Sequence, residues 1–268
     1  MKKLRSSMGR NLLLFAILNA VGCMSVPPPP VYAPAAEGPD FVERLSDELA
    51  LLDGEEAPTD DAILEAARMV AAAAYAEPNY DNATAAAALA HFAHLDPTGI
   101  VPKSLRDKAI LFFHANRTKF ANPRFISIID YGRRSVDPRF FIIDVGTGAV
   151  TAYRVAHGSG SDFNHDGWAE SFGNVPQSKK SSLGYMRTDY IYQSGKVGTA
   201  LKLHGLSASN SNVFARGVVI HGSKYVQDEP KVQGRSQGCP AVPMHQNLAI
   251  INRLVGGSLV YAGNSKVL

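Results

Sequence analysis

The chain has 268 residues, 46% of them apolar and 19% charged, and a formal net charge of +3; that is enough apolar material to bury a full core and to hold a catalytic domain beside an accessory region. Charge is unevenly divided: residues 24–120 carry 7 basic and 15 acidic side chains, residues 121–268 carry 16 basic and 9 acidic, so the second part is about +7 and suits a substrate rich in carboxylates. Ordinary solvated surface charge gives the same balance, and the absence of a clustered basic run with interleaved aromatics argues against nucleic acid.

The chain opens with Lys2, Lys3, Arg5 and Arg10 ahead of an apolar stretch at residues 12–18, followed by Ala20-Val21-Gly22-Cys23. Basic residues, a short apolar run and small residues are the layout of a secretory signal, and the run is too short to span a bilayer. Residues 1–22 therefore read as a signal peptide. Because a cysteine follows the small residues, the site resembles a bacterial lipobox in which Cys23 is lipidated and anchors the protein to the membrane; ordinary cleavage is the other reading, since Ala20 stands where leucine is usual. Met24 and Ser25 include no aspartate retention signal, so the expected destination is the periplasmic face of the outer membrane. Nucleic acid is a poor partner for an exported chain.

Residues 23–39 are rich in Pro, Ala and Gly and read as a semi-rigid tether. From Asp40 the pattern is helical. Phe41, Leu45, Leu49 and Leu52 recur at three-to-four spacing, an alanine-rich run reaches Ala76, and residues 83–95 and 103–120 continue in kind, with Pro97, Gly99 and Pro102 as breaks. Residues 40–120 thus read as a helical accessory region. Its His91, His94 and His114 sit among Ala, Leu and Phe and read as packing residues.

After Asn122-Pro123 the texture turns to strands at 125–131, 139–145 and 150–157, the last two joined by a hairpin at Gly146-Thr147-Gly148. Further strands are predicted at 190–193, 200–203, 218–221 and 259–262, with one helix at 246–254. Residues 121–268 are therefore expected to form a mainly β catalytic domain, an antiparallel β-sandwich or partly open barrel, with the helical region before it: α+β overall.

The chemistry concentrates at two motifs. Ile220-His221-Gly222 reads as a strand end, and Ser236-Gln237-Gly238-Cys239-Pro240 follows, with eighteen positions from His221 to Cys239. Removal or acylation of Cys23 leaves Cys239 without an intramolecular partner in an oxidising compartment, so it is either a buried inert residue or a reactive thiol. Its polar, turn-forming flanks, and Pro240 pushing it toward an extended backbone, favour a loop-borne thiol at a strand entrance. A thiol beside a basic imidazole is partly converted to thiolate, and His221 can pass the proton to a leaving amine, which is equipment for acyl transfer. The Gly222 carbonyl is expected to hold the far ring nitrogen, the amides of Gly238 and Cys239 to face a developing oxyanion, and Ser236 to tie the loop.

These residues resemble the catalytic signature of the YkuD-like L,D-transpeptidases, bacterial enzymes that cross-link peptidoglycan. Ser181-Ser182-Leu183-Gly184-Tyr185 is similar to the strand upstream of that family's site, and the frame from Ile126 through Val155-Ala156-His157-Gly158 to Gly234-Arg235-Ser236 resembles a divergent branch of murein L,D-transpeptidase catalytic domains; the likeness covers residues 122–262. The resemblance implies that Cys239 attacks the carbonyl at the L-centre of diaminopimelate in a tetrapeptide stem, expels the terminal D-alanine and forms a thioester, which an amine of a second stem resolves into a 3→3 cross-link. Resolution by water makes the same site an L,D-carboxypeptidase. Neither route needs a metal or an organic cofactor. Two departures stand out: the family's arginine after the cysteine is replaced by Pro240-Ala241-Val242-Pro243, and its histidine before Gly238 is Gln237. Arg235 is either a replacement for that charge or an ordinary loop arginine. Tyr185, Tyr225 and His157 are candidate substrate-binding residues, the tyrosines alternatively packing.

Asp162-Phe163-Asn164-His165-Asp166-Gly167 has the opening of a calcium loop, but Gly173 stands where a bidentate glutamate is required, so an Asx-rich turn is the better reading. A zinc site from His221, Cys239 and His245 lacks a fourth ligand. Two classes of function follow: a cell-wall enzyme working through Cys239, as transpeptidase or hydrolase, or a non-catalytic peptidoglycan-binding lipoprotein.

Overall fold

Runs of β-branched and aromatic residues without polar alternation, FISIID at Phe125–Asp130 (β1) and FFIID at Phe140–Asp144 (β2), are the mark of strands covered on both faces. The computed structural model describes residues 75–267, and there the two strands pair antiparallel, Phe125 opposite Asp144 and Ile129 opposite Phe140. The signal-like segment, Cys23, the Pro-rich stretch and the helical pattern of residues 40–74 lie outside the described residues.

Six further strands complete one sheet: Val150–Tyr153 (β3), Gly184–Ser194 (β4), Gly198–Gly205 (β5), Val219–Ser223 (β6), Ala241–Pro243 (β7) and Leu259–Gly263 (β8). Their order is β3-β2-β1-β8-β4-β5-β6-β7. Bridges from Ala156 to Ala241 and from Gly158 to Ser236 join the chain leaving β3 to the chain entering β7, so the sheet is nearly closed. The fold is mainly β with a few helices. The sheet is mixed rather than antiparallel throughout, because β1 runs parallel to β8 and β6 parallel to β7. A parallel pair needs a long crossover, and residues 224–240 supply the one between β6 and β7. Cys239 is the penultimate residue of that crossover.

Helix Asn82–His91 (α1) is capped by the Asp81 carboxylate, which accepts from the Thr84 amide. Helix Lys103–Asn116 (α2) lays Leu105, Ala109, Ile110, Phe112 and Phe113 on the sheet, where they meet Ile126 and Ile128 of β1, Phe141 and Ile143 of β2, and Leu259 and Tyr261 of β8. The alternate residues of the same strands, Ile129, Phe140, Ile142 and Val260, fill a second core with Leu201, Leu203, Ile220, Val242 and helix Asn247–Leu254 (α3), through Ile250, Ile251 and Leu254. One strand set thus feeds two cores by period-two alternation. His91, His94 and His114 are exposed rather than buried in packing; His94 Nε2 lies 2.9 Å from the Val145 carbonyl and His114 Nδ1 lies 2.8 Å from the Tyr80 hydroxyl.

Strand β4 is longer than the predicted 190–193 segment. It begins at Gly184 and carries a register shift between Thr188 and Ile191, where the strand bulges past β5; the polar Arg187-Thr188-Asp189 separate its first half from the predicted segment and interrupt the apolar run by which a strand is recognised.

Phe112 stacks on Tyr185 with centroids 3.8 Å apart and rings within 9° of parallel. Phe112→Ala is expected to cost about 3–5 kcal/mol of unfolding free energy, the usual range for a buried aromatic; a urea titration with an unchanged slope measures it.

Candidate active site

His221 lies on β6 with its side chain buried, and its Nδ1 is 3.0 Å from the Gly222 carbonyl. A carbonyl only accepts, so Nδ1 carries the proton and Nε2 is left with a free lone pair. Burial holds the imidazole below its ordinary pKa, partly offset by the Gly222 carbonyl. Gly222 is required by close approach: a Cβ there would lie 2.9 Å from Asn247 Cβ and 3.0 Å from Met244 Sδ, where α3 begins.

Cys239 is half-buried. Parallel pairing sets His221 beside Ala241, two residues past the cysteine, and the thiol sits against the start of β6, with Sγ 3.8 Å from the Gly217 carbonyl and within reach of the Val219 amide. Burial pushes the thiol above its ordinary pKa; the Val219 N–H and the charges of Arg216 and Lys202 oppose this without reversing it. The sequence suggested a thiolate prepared by the imidazole. The surroundings instead disfavour both charged forms, because burial raises the thiol pKa and lowers that of the imidazole, and Arg216 and Lys202 offset the rise at the thiol only in part.

The Ser236–Cys239 turn is fixed from within and behind. Ser236 Oγ donates to the Cys239 carbonyl at 2.6 Å and accepts the Gly238 amide at 3.0 Å. The Gly238 N–H is therefore occupied and does not face an oxyanion, as the sequence had suggested. The Cys239 amide has no partner among the described residues. Gly238 has φ +121°, and a Cβ would lie 2.9 Å from the Lys180 carbonyl. Behind the turn, Ser181 Oγ donates to the Gly238 carbonyl and accepts the Gly158 amide.

His157 is not a cleft residue. It is buried, its Nδ1 accepts from Arg139 Nη2 at 2.7 Å, and its Nε2 therefore donates to Asp162 Oδ2 at 3.0 Å. Burial, then the Arg139 charge, lower its pKa to about 4, so it stays neutral. Its carbonyl accepts the Ser236 amide at 2.9 Å, making it a positioning residue for the turn. Arg235 reaches away from the thiol and donates to the carbonyls of Asp162 and Phe163, so it ties two loops together. Tyr185 is enclosed between Phe112 and Tyr261 and belongs to the core under α2. Tyr225 is 39% exposed and packs against Gly234, and its phenol pKa is raised, first by partial burial and then by nearby Cys239, against a hydrogen bond to Ser223. Of the sequence candidates, the fold gathers Cys239, His221, Gly222, Ser236, Gly238 and Tyr225.

The Asp162–Gly167 segment closes as an Asx turn, Asp162 accepting the amides of Asp166 and Gly167 and Asp166 that of Trp168. His245 turns toward Asp228, and among the described residues no group of His, Cys, Asp and Glu is arranged to hold a metal. A groove of about 500 Å³ bordered by Arg133, Arg134, Phe141 and Trp168 shares no lining residue with the thiol site.

Two cations near the thiol escaped the sequence reading. Arg216 precedes β6 and donates to the carbonyls of Gly173 and Lys180 and to Ser182 Oγ; no motif marks it. Lys202 is on β5, where the alternation Leu201-Lys202-Leu203-His204 announces a polar face. Together they put positive charge near Cys239, where the sequence lacks the arginine after the cysteine.

A family model described as the L,D-transpeptidase catalytic domain matches residues 98–262. The chain belongs to the YkuD-type L,D-transpeptidase family. Among solved structures, it is similar to an L,D-transpeptidase from Xylanimonas cellulosilytica, with 18% identity over 89% of this chain and 100% of that one, TM-score 0.31. It is also similar to Bd1075 of Bdellovibrio bacteriovorus, with 12% identity, 54% of this chain covered and TM-score 0.32; the match spans 48% of the length of that protein. No curated protein matches the chain. In this L,D-transpeptidase domain, the match begins before α2 and ends within β8.

The raised thiol pKa predicts a direction for reactivity. Iodoacetamide labelling of Cys239 should reach half its limiting rate at a pH above that of a free cysteine, and Arg216→Gln should move the midpoint further up. A midpoint below that of free cysteine would restore the prepared thiolate.

Proposed function

We propose that the protein is an exported peptidoglycan-modifying acyltransferase, an L,D-transpeptidase with Cys239 as nucleophile and His221 as base. The observation that carries this reading is the fixed, neutral imidazole: Nδ1 is tied to the Gly222 carbonyl, so Nε2 is free to take a proton, on the strand against which the thiol rests.

In the first step Sγ attacks the carbonyl of the diaminopimelate L-centre as Nε2 takes the thiol proton, and the C–S bond forms. The oxyanion is received by the Cys239 amide. The amide C–N bond then breaks, His221 returns the proton to the departing D-alanine amine, and a thioester remains. An amine of a second stem attacks the thioester, Nε2 accepts its proton, and the thiol is regenerated. Because the resting pair is neutral, proton transfer accompanies attack, and the base contributes rate in the chemical step, typically about 10²–10⁴-fold. Water in place of the amine gives L,D-carboxypeptidation at the same thioester.

Muropeptide analysis tests the reading. Purified protein incubated with disaccharide tetrapeptides is expected to release D-alanine and give a cross-linked dimer by mass spectrometry, while Cys239→Ser gives neither product and His221→Ala is slowed about 10²–10⁴-fold. Tripeptide without dimer would make the enzyme an L,D-carboxypeptidase; no change with a folded, labelled protein would favour a peptidoglycan-binding role.

We also propose that the protein is a periplasmic lipoprotein anchored in the outer membrane through Cys23, on the strength of the basic residues, the short apolar run and Ala20-Val21-Gly22-Cys23. Cells fed labelled palmitate should incorporate it into the wild type and not into Cys23→Ala. An unlabelled, cleaved wild type would mean plain signal processing.

A further inference from the structure

The outer face of the sheet is divided. Where β1, β2 and β8 run, α2 covers it; the same face continues through β5 and β6, where Ala200 is paired with His221 and Lys202 with Val219. Neighbours across a sheet share a face, so Lys202 and His221 look to the same side. Lys202 lies one strand over and about 7 Å along from the His221 row at ordinary strand spacing. That offset is within reach of one extended residue and its terminal group, given about 3.5 Å per residue.

The ammonium is held by rings instead of acids. Its Nζ is 4.5 Å from the Tyr192 ring centroid and 5.2 Å from that of Phe214. Phe214 is in turn stacked on His204 with centroids 4.5 Å apart, and His204 is hydrogen-bonded to Asp189 at 2.7 Å. Asp189, the acid on the adjoining strand, is thus committed to His204, and the chain Asp189–His204–Phe214 braces one wall of the cage. Lys202 itself has no hydrogen-bond acceptor and no acidic partner among the described residues. A half-buried ammonium with three unused donors, fixed beside a nucleophile, is prepared for an anion that arrives with the substrate. Arg216 is less suited, because three acceptors of the protein already occupy its guanidinium.

We infer that Lys202, in its cage of Tyr192 and Phe214, is a carboxylate-binding subsite that receives the C-terminal carboxylate of the acyl donor, the group carried off by the departing residue. The inference rests on the acyl-transfer reading above and adds what selects the donor: a peptide ending in a free carboxylate one residue beyond the bond that breaks. An ammonium there also draws the leaving group toward the side of the sheet on which His221 returns its proton.

The test compares tetrapeptide donors ending in a free carboxylate and in a carboxamide, using the whole protein and following release of D-alanine or D-alaninamide. The wild type is expected to favour the acid by about tenfold or more in kcat/KM, a charge-assisted contact, chiefly through KM. Lys202→Gln and Lys202→Met should reduce that preference to within about twofold, and Lys202→Arg should retain part of it. An undiminished preference in folded Gln and Met variants, or an equal fall for both donors, would overturn the subsite. If the wild type turns over neither donor, the acyl-transfer reading fails on its own. The subsite is then judged by calorimetric binding of the acid tetrapeptide to Cys239→Ser and to Cys239→Ser/Lys202→Gln, where equal affinities overturn it and a loss of about tenfold supports it.

Discussion

A single buried guanidinium organises the ground behind the thiol. Arg139 is fully enclosed, its Nε and Nη2 donate to the Val155 carbonyl at 3.1 and 2.8 Å, its Nη1 to the Arg133 carbonyl at 2.8 Å, and its Nη2 also to His157. A charge so placed is tolerated only when its donors are satisfied and acids lie near; the charges of Asp130, Asp162 and Asp137 help to support it, and it stays protonated although burial lowers its pKa to about 10. Because arginine only donates, it fixes the tautomer of His157, which then binds Asp162. Through the His157 carbonyl and the Ala156–Ala241 bridge, the same segment holds the Cys239 turn and the start of β7. The Cys239 turn thus inherits its position from a polar network behind it.

In the acyl transfer proposed above, that rigidity orients the two reacting groups. Burial lowers the imidazole pKa and raises that of the thiol, which disfavours an ion pair between them. The backbone supplies orientation instead: the Gly222 carbonyl on one partner, and the Ser236 hydroxyl bracing the turn that carries the other. Occupation of the Gly238 amide by Ser236 leaves the Cys239 amide as the donor for the proposed oxyanion, and Lys202 and Arg216 place positive charge near it.

The division of the sheet's outer face is as consequential as the turn. Where α2 packs, alternate residues are aromatic or aliphatic and both faces are buried; beyond its reach, Lys202, His204 and His221 occupy equivalent positions. One sheet therefore provides a two-sided core at one end and a polar working surface at the other. The β4 bulge sits at the transition, which is where Asp189 is turned toward His204.

Much of this was legible in the linear chain. Period-two and period-3.6 apolar patterns located β1, β2, β5, β6, β8 and the helices, because burial of side chains at those spacings is a local property of the backbone. Ile220-His221-Gly222 and Ser236-Gln237-Gly238-Cys239 carried the family, since glycine and turn residues there answer to local geometry. The three-residue β7, flanked by prolines, and the parallel pairing of β6 with β7 were not legible, because pairing partners are chosen by contacts distant in sequence. The same is true of His157, which read as a cleft residue and is a positioning residue, while for Arg235 and Tyr185 the structure selects the loop-arginine and packing readings that the sequence had left open beside substrate binding. Sequence determined the element types, the two motifs around His221 and Cys239 and the family; tertiary structure decided which cations stand beside Cys239, which amide is unoccupied and that burial raises the thiol pKa, because desolvation and long-range hydrogen bonding arise only when remote segments are brought together.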